Sequence, residues 1–279
     1  MPSSRPRRTA APARAAAVAG AVAALFAGAT ACASADDDSE PEHRTFAVEG
    51  HTLTVDSDDS ALEIVAADGN AAGEVRVTRW FQGSVVAGAD PKVSWSMSGD
   101  RLELRMKCTG VFADCAAKHR IEVPRGITVK VRESDGSVRA RGFEDPLEIR
   151  TGDGSVRVTD STGPLTLRTG DGSIRVTDST GPLALRTGDG SIRADVTSPE
   201  VRARTGDGSV NLTLGAVPDL VESRTGDGSV TISLPSATYR VTTETGDGSV
   251  DVTVPRDESS GHVVNAHTGD GKVTVRTAN

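Results

Sequence analysis

The chain has 279 residues, a formal net charge of −8 at pH 7 and only 3% aromatic residues. An acidic chain is a poor candidate for binding nucleic acid or an anionic membrane surface through charge. Phe143 and Tyr239 are the only aromatic residues after Cys115, so the stacking platforms that polysaccharide-cleaving β-helix enzymes use are hard to build. We therefore predict no catalysis, no resident cofactor and no nucleic-acid partner.

Residues 1–31 are typical of an export signal. They contain four arginines and no acidic residue, followed by an alanine- and valine-rich stretch over 15–27 that is too short to be a convincing membrane span. Without them the net charge becomes −12, because −8 loses four positive charges. Ala29, Thr30 and Ala31 stand directly before Cys32, an arrangement similar to the lipobox of bacterial lipoproteins, although such boxes most often carry leucine at the position of Ala29.

The similarity predicts that Cys32 is acylated and holds the exported protein on the membrane. Ordinary signal cleavage is the alternative, and it would give a secreted protein. Residues 32–44 are acidic and carry a proline but no apolar pattern, so we predict a disordered tether.

Residues 45–130 alternate apolar and polar side chains in segments of irregular spacing, which predicts β-strands and not helices. This section is the predicted cap of the fold. Cys108 and Cys115 lie between two of the strands with six residues between them, and in an exported protein this favours a disulfide over a zinc site.

Residues 131–279 repeat one short turn, most often spelled T-G-D-G-S-V or T-G-D-G-S-I, eight times. A period of 18 to 23 residues is typical of a solenoid, in which each coil buries its apolar face against its neighbours. One unit, residues 151–168, divides into two turns and two short strands, with Val156 and Val158 facing Leu165 and Leu167. The turn aspartates are Asp135, Asp153, Asp171, Asp189, Asp207, Asp227, Asp247 and Asp270.

The predicted fold is therefore all-β: a β-solenoid or β-roll of the right-handed type, with coils of about 18–20 residues and the irregular section as its N-terminal cap. An antiparallel meander is the rival, because Asp-Gly is also a strong hairpin signal. The two-strand period disfavours the meander. We expect the turn glycines to supply positive φ angles.

Several features together resemble the putative-adhesin β-strand-repeat family of bacterial surface lipoproteins, a family of unknown function. They are the signal with Cys32, the short cysteine loop, the segment RIEVPRG at 120–126 and the repeats that follow VKVRESDGSV. The resemblance covers about 45–279. It implies an exported β-solenoid with a role in adhesion or the cell envelope, and it provides no catalytic residues.

Stacked coils would place the turn aspartates in a column, where neighbouring carboxylates about 4.8 Å apart repel by roughly 0.9 kcal/mol in water. Ca²⁺ bound by Asp153, Asp171, Asp189, Asp207, Asp227, Asp247 and Asp270 is one way to offset this repulsion, by partial similarity to calcium β-roll repeats. The alternative is neutralisation by the arginine three residues before each aspartate. Glu244 and His267 replace that arginine in the last two repeats.

We predict a lipid-anchored binding or scaffold module whose partner is a cell-envelope polymer or a surface protein. The calcium-binding β-roll is the alternative. Outward arginine rows would suit a polyanion, because guanidinium groups pair bidentately with carboxylate or phosphate. The rows are Arg157, Arg175 and Arg193, and Arg150, Arg168, Arg186, Arg204 and Arg224.

Overall fold

The computed structural model of the chain describes Ala35 and residues 38–278, and it is built from strands. The predicted signal, Cys32 and residues 33, 34, 36 and 37 of the predicted tether lie outside the described residues. Within the described part there is no α-helix, and no helix long and apolar enough to cross a membrane was found there.

Seven strands form the N-terminal section. They are β1 (Glu42–Ala47), β2 (Thr52–Ser57), β3 (Ser60–Ala67), β4 (Glu74–Gly88), β5 (Lys92–Ser98), β6 (Arg101–Lys107) and β7 (Gly110–Pro124).

Shorter strands form the repeat section. They are β8 (Thr128–Glu133), β9 (Val138–Arg141), β10 (Leu147–Thr151), β11 (Val156–Thr159), β12 (Leu165–Arg168), β13 (Ile174–Thr177), β14 (Leu183–Arg186), β15 (Ile192–Val196), β16 (Glu200–Arg204), β17 (Val210–Leu214), β18 (Leu220–Arg224), β19 (Val230–Leu234), β20 (Arg240–Thr245), β21 (Val250–Val252), β22 (Val263–Thr268) and β23 (Val273–Thr277).

The strands stack into two sheets, and the solenoid prediction is confirmed. Sheet I has 12 strands in the order β1-β4-β7-β3-β9-β11-β13-β15-β17-β19-β23-β21, and sheet II has 11 in the order β20-β22-β18-β16-β14-β12-β10-β8-β2-β6-β5. Each repeat strand pairs in parallel with the strand one coil away, as β11 does with β13, and not with the next strand along the chain. A meander would have paired β11 with β12. Ten strand spacings give sheet II a width of about 48 Å.

The core lies between the two sheets and consists of rows of aliphatic side chains. Val156 and Val158 from sheet I and Leu165 and Leu167 from sheet II are each at most 1% exposed. Their parallel partners one coil on carry the same residue types, so the rows continue through the stack. The outward side chains between them, such as Arg157, are exposed, which leaves both sheet faces available to solvent.

The turn glycines are required by close packing of the coils, and the prediction of positive φ was wrong for them. A Cβ on Gly172 would lie 2.1 Å from the carbonyl oxygen of Gly154 in the preceding coil. Positive φ occurs instead at Asp160 and Asp178, with values of 54° and 52°, in the second turn of the repeat. Aspartate is one of the few residues that tolerates this conformation.

The order of coils at the C-terminal end differs from the order in the chain. The coil formed by β22 and β23 inserts between the β18/β19 coil and the β20/β21 coil. Apolar content explains the exchange: the inward face of β22 carries the buried Val264 and Ala266, whereas Thr243 stands on the inward face of β20. The more polar strand therefore takes the edge. Tyr239, the residue directly before β20, is fully buried, and its hydroxyl donates a hydrogen bond to the Pro235 carbonyl at 2.9 Å.

The N-terminal cap closes the other end of the core around Trp95. The Arg79 guanidinium lies 4.4 Å from the indole centroid and the Arg44 guanidinium lies 5.8 Å from it. Phe46 packs edge-on to the same ring at 6.3 Å. Two cations and an aromatic edge thus cover a side chain at the place where the aliphatic rows end.

The boundary of the predicted tether also needs correction, because β1 begins at Glu42 and not at residue 45. The Glu42 carboxylate accepts a hydrogen bond from Arg79 Nη2 at 2.8 Å, and Asp38 Oδ2 accepts the Phe81 N–H at 3.0 Å. The Phe81 N–H, followed by that of Glu40, holds the pKa of Asp38 below its ordinary value. Charged residues that we expected to be solvated therefore attach the chain to β4.

Candidate functional site: two arginine rows

Row I is the first of two outward arginine rows and lies on sheet I. In-register pairing of β9, β11, β13 and β15 places its four members one strand apart: Arg139, Arg157, Arg175 and Arg193. Each follows a buried aliphatic residue, so strand alternation turns the guanidinium group to solvent. The sequence had indicated the last three, and the structure adds Arg139.

Row I is bounded by residues that do not neutralise it. Glu63 pairs with Arg139 in register at one end, but its carboxylate lies 3.1 Å from Arg120 Nη1. Asn211 follows Arg193 at the other end and is neutral. Among the described residues, no ion pair involves any of the four guanidinium groups. A groove of about 160 Å³ runs beside Arg139 and Arg157.

Row II is the predicted row on sheet II, and pairing from β10 to β18 places its five members in one column: Arg150, Arg168, Arg186, Arg204 and Arg224. Arg150 is paired with Glu148 and Arg204 with Glu222, each at 2.6 Å. In the described part of the chain, no ion pair involves Arg168, Arg186 or Arg224. Row II is therefore partly neutralised, whereas row I is not.

Two grooves follow row II. One of about 380 Å³ is lined by Arg186, Arg204, Arg224, His267 and the adjoining Thr-Gly pairs of the turns. A smaller one of about 150 Å³ lies around Ala184, whose short side chain leaves space between the neighbouring arginines. The two grooves could hold an extended polymer against several guanidinium groups at once.

The row ends in a histidine and a glutamate that contact each other. His267 follows Arg224 in register, and Glu244 follows His267. His267 Nδ1 lies 3.2 Å from Glu244 Oε2. These two residues interrupt the arginine column, and the exchanged coil order brings them together.

The turn aspartates form an exposed column, one per coil, beside the row II edge of the turns. The Oδ1 atom of Asp153 lies 3.3 Å from the point that a Cβ of Gly170 would occupy in the next coil, and the same arrangement recurs along the stack. No ion pair between described residues joins this column to row II, so the expected arginine–aspartate neutralisation is not found. The ion pairs of row II are formed with Glu148 and Glu222 instead.

Calcium binding by Asp153, Asp171, Asp189, Asp207, Asp227, Asp247 and Asp270 stays a prediction. Over residues 38–278 no group of three or more histidine, cysteine, aspartate or glutamate side chains is placed to hold a metal ion. Calcium takes six to eight oxygen ligands, and each coil offers one turn carboxylate. The described residues therefore fit a calcium site poorly without further ligands.

Comparison with known proteins gives the family. The model of the Toastrack DUF4097 family matches residues 33–279. The chain belongs to this Toastrack family. The resemblance to putative-adhesin repeat proteins is thereby confirmed, since solved structures with the same fold carry that name.

Two of these structures resemble the Toastrack chain over most of its length. A protein described as a putative adhesin from Bacteroides fragilis is 13% identical with a TM-score of 0.52, covering 86% of this chain and 98% of that one. One so described from Parabacteroides distasonis is 13% identical with a TM-score of 0.53 and the same coverage. At this identity the likeness shows a shared fold. No match was found among the curated proteins compared with it.

A buried threonine column inside the Toastrack turns was missed at the sequence level. Thr169 Oγ1 lies 3.0 Å from the Gly152 carbonyl and 2.9 Å from the Gly154 carbonyl of the preceding coil, and it accepts the Gly172 N–H at 3.2 Å. The two carbonyl contacts recur at Thr187, and the column continues to the far end of the rod. The threonine that begins every T-G-D-G turn was the feature of the sequence that could have indicated this column.

Proposed function

We propose that this Toastrack protein is an exported, lipid-anchored, non-catalytic module that binds a polyanionic polymer of the cell envelope through its arginine rows. Four consecutive guanidinium groups in row I, without an acidic partner among the described residues, are the observation that carries the proposal. Cys32 would provide the anchor. The adhesin description of proteins that share the fold supports a binding role and a surface location.

The spacing of row I suits a regular polymer. Neighbouring strands place the backbones of successive arginines about 4.8 Å apart, and each guanidinium group can pair bidentately with a phosphate or carboxylate. The mature chain is acidic, so the binding has to be local. Screening over about 8 Å at physiological salt separates a row from distant acidic residues. Row II would add a second, weaker face through Arg168, Arg186 and Arg224.

The test compares two variants with the same change in net charge. In the first, Arg139, Arg157, Arg175 and Arg193 are replaced by Gln. In the second, the replaced residues are Arg150, Arg168, Arg186 and Arg204. Polyphosphate and polygalacturonate serve as phosphate and carboxylate probes, binding is measured by titration at two salt concentrations, and thermal unfolding checks that both variants fold.

We expect the row I variant to bind at least about tenfold more weakly than the unchanged protein, and the row II variant to lose less, because two of its arginines are already paired. Equal losses in the two variants would mean that only net charge matters and would refute the assignment to row I. Unchanged binding in the row I variant would refute the polyanion proposal itself.

A further inference from the structure

The long strands β4 and β7 extend beyond sheet I as a two-stranded ribbon. β1 accompanies β4 only as far as Arg79, and β3 accompanies β7 only from Ala117 onward. Past these points, residues 82–88 and 110–116 are strand partners of each other, and no third described strand pairs with them. Seven residues of strand give the ribbon a length of about 20 Å. β7 runs parallel to β3, so the ribbon projects on the side where the T-G-D-G turns lie.

The tip of the ribbon is apolar and exposed. Val86 is 78% exposed, Val111 58% and Phe112 80%, and these are three of the five large apolar side chains exposed among the described residues. Phe112 has a φ of 53°, a conformation that bulky residues rarely adopt. A disulfide between Cys108 and Cys115 closes the loop at its base. The fold thus holds a phenylalanine in solvent at the end of a braced projection.

The N-terminal end of the described chain runs toward the same tip. β1 is antiparallel to β4, with Glu42 opposite Arg79. Asp38, which precedes β1, lies beside Phe81, two residues farther along β4 toward the tip, and its Oδ2 accepts the Phe81 N–H. Asp38 follows Cys32 by six positions, and six extended residues span at most about 21 Å. The length of the chain therefore limits the separation of Cys32 and Asp38 to about the length of the ribbon.

We propose that the apolar tip formed by Val86, Val111 and Phe112 inserts into the interface of the lipid bilayer to which the N-terminus is attached. The proposal rests on the lipid anchor at Cys32 in the proposed function. Together the anchor and the tip would give two points of attachment and hold the rod in one orientation. The ribbon would also keep the exposed aspartate column about 20 Å from the lipid, beyond the screening length of about 8 Å.

The experiment uses residues 33–279, which are both a compact unit and, with the same limits, the span of the family model. A hexahistidine segment placed before Ala33 attaches this chain to phosphatidylcholine vesicles that contain a nickel-chelating lipid, so the attachment does not depend on acylation of Cys32. The variant Phe112→Trp reports contact with lipid through quenching by brominated acyl chains. The matched control is Val250→Trp, at an exposed valine on β21 at the other end of the rod. The signal of the two native tryptophans is subtracted with the unchanged chain.

We expect the tryptophan at position 112 to be quenched and that at position 250 to remain as bright as without brominated lipid. In a second assay without the histidine segment, replacing Val86 and Phe112 by Ser should lower the partition coefficient onto phosphatidylcholine vesicles about tenfold or more. Equal quenching at both positions, or at neither, overturns the proposal. A concentration-dependent dimer that the Ser variant abolishes, with no quenching at position 112, would assign the tip to self-association instead. Failure of Cys32 acylation, tested separately by mass, would overturn the anchor but not the affinity of the tip for lipid.

Discussion

Glu133 occupies the place of a threonine in the first T-G-D-G-like turn, and it makes the junction between cap and repeats sensitive to pH. It pairs in register with Thr151 on one side and Ser57 on the other. Its Oε1 accepts the N–H groups of Ser60 at 3.1 Å and Gly136 at 3.2 Å, but its Oε2 is buried and has no hydrogen-bond partner among the described residues. Burial raises the pKa of Glu133 from its ordinary value of 4.5 to about 7.

The sign of the effect follows from where the proton is held. Between pH 4.5 and 7 the folded protein keeps a proton on Glu133 that the unfolded chain has released, so the free energy of unfolding falls as the pH rises. At about 1.4 kcal/mol per pKa unit, the loss on going from pH 4.5 to above 7 is about 3 kcal/mol. The variant Glu133→Gln keeps an acceptor for the two N–H groups and cannot ionise. We therefore expect it to be more stable than the unchanged protein by less than about 1 kcal/mol at pH 5 and by about 3 kcal/mol at pH 8.

Urea unfolding of both proteins at the two pH values measures this difference, followed by the fluorescence of Trp80 and Trp95, which both lie in the N-terminal section. His119 titrates in the opposite sense: burial lowers its pKa to about 3, so the stability it contributes is present above pH 6.5 and is lost as the pH falls. That contribution is common to both proteins and cancels in their difference. A difference that stays the same at pH 5 and pH 8 would refute the assignment of a buried, titrating carboxyl to Glu133.

Three further predictions concern the turns. Thr169→Val removes the hydroxyl that contacts two carbonyl oxygens and should lower the free energy of unfolding by about 1–3 kcal/mol. The control Thr166→Val, on the outward face of β12, should change stability little. Similar losses for the two variants in urea unfolding would argue against the threonine column. Gly172→Ala would bring a Cβ to 2.1 Å from the Gly154 carbonyl oxygen and should destabilise by at least about 1–3 kcal/mol, whereas Gly69→Ala meets no atom within 4 Å and should be tolerated. Millimolar calcium and EDTA should leave the melting temperature nearly unchanged, and a rise of many degrees with calcium would make the aspartate column an ion site.

The repeating part of the fold could be predicted from the sequence because one short pattern states it many times. Two apolar residues in each half of a unit, separated by turn residues, predict two strands and an inward face, and Val156, Val158, Leu165 and Leu167 are where the pattern places them. Pairing between coils then follows, since like strands lie one period apart. The outward position of Arg157 follows from the same alternation.

The features that could not be predicted from the sequence depend on which coils are neighbours in the stack. Arg150 and Arg204 are neutralised by glutamates on the same sheet face. The Arg204–Glu222 pair joins residues that are 18 apart in the chain. The sequence alone gave no reason to prefer such a distant glutamate to the aspartate three residues after each arginine. The coil exchange at the C-terminal end was hidden because each of the last coils carries the same turn. The spacing of 23 residues between Asp247 and Asp270 was the only irregularity that marked it.

The arrangement of the ends suggests why binding should involve the sides of the rod. At both ends of the rod the spatial order of the strands differs from their order in the chain. At the N-terminal end, β6 and β7 lie farther out than β2 and β3, which precede them in the chain. At the C-terminal end, β20 and β21 lie farther out than β22 and β23, which follow them. An exposed sheet edge can add strands from another molecule, and short or polar edge strands reduce this risk. β21 has three residues, and β20 exposes Arg240, Thr242 and Glu244 in alternation. The C-terminal edge is thus short or polar, and we expect partners to bind at the two sheet faces, which carry the arginine rows.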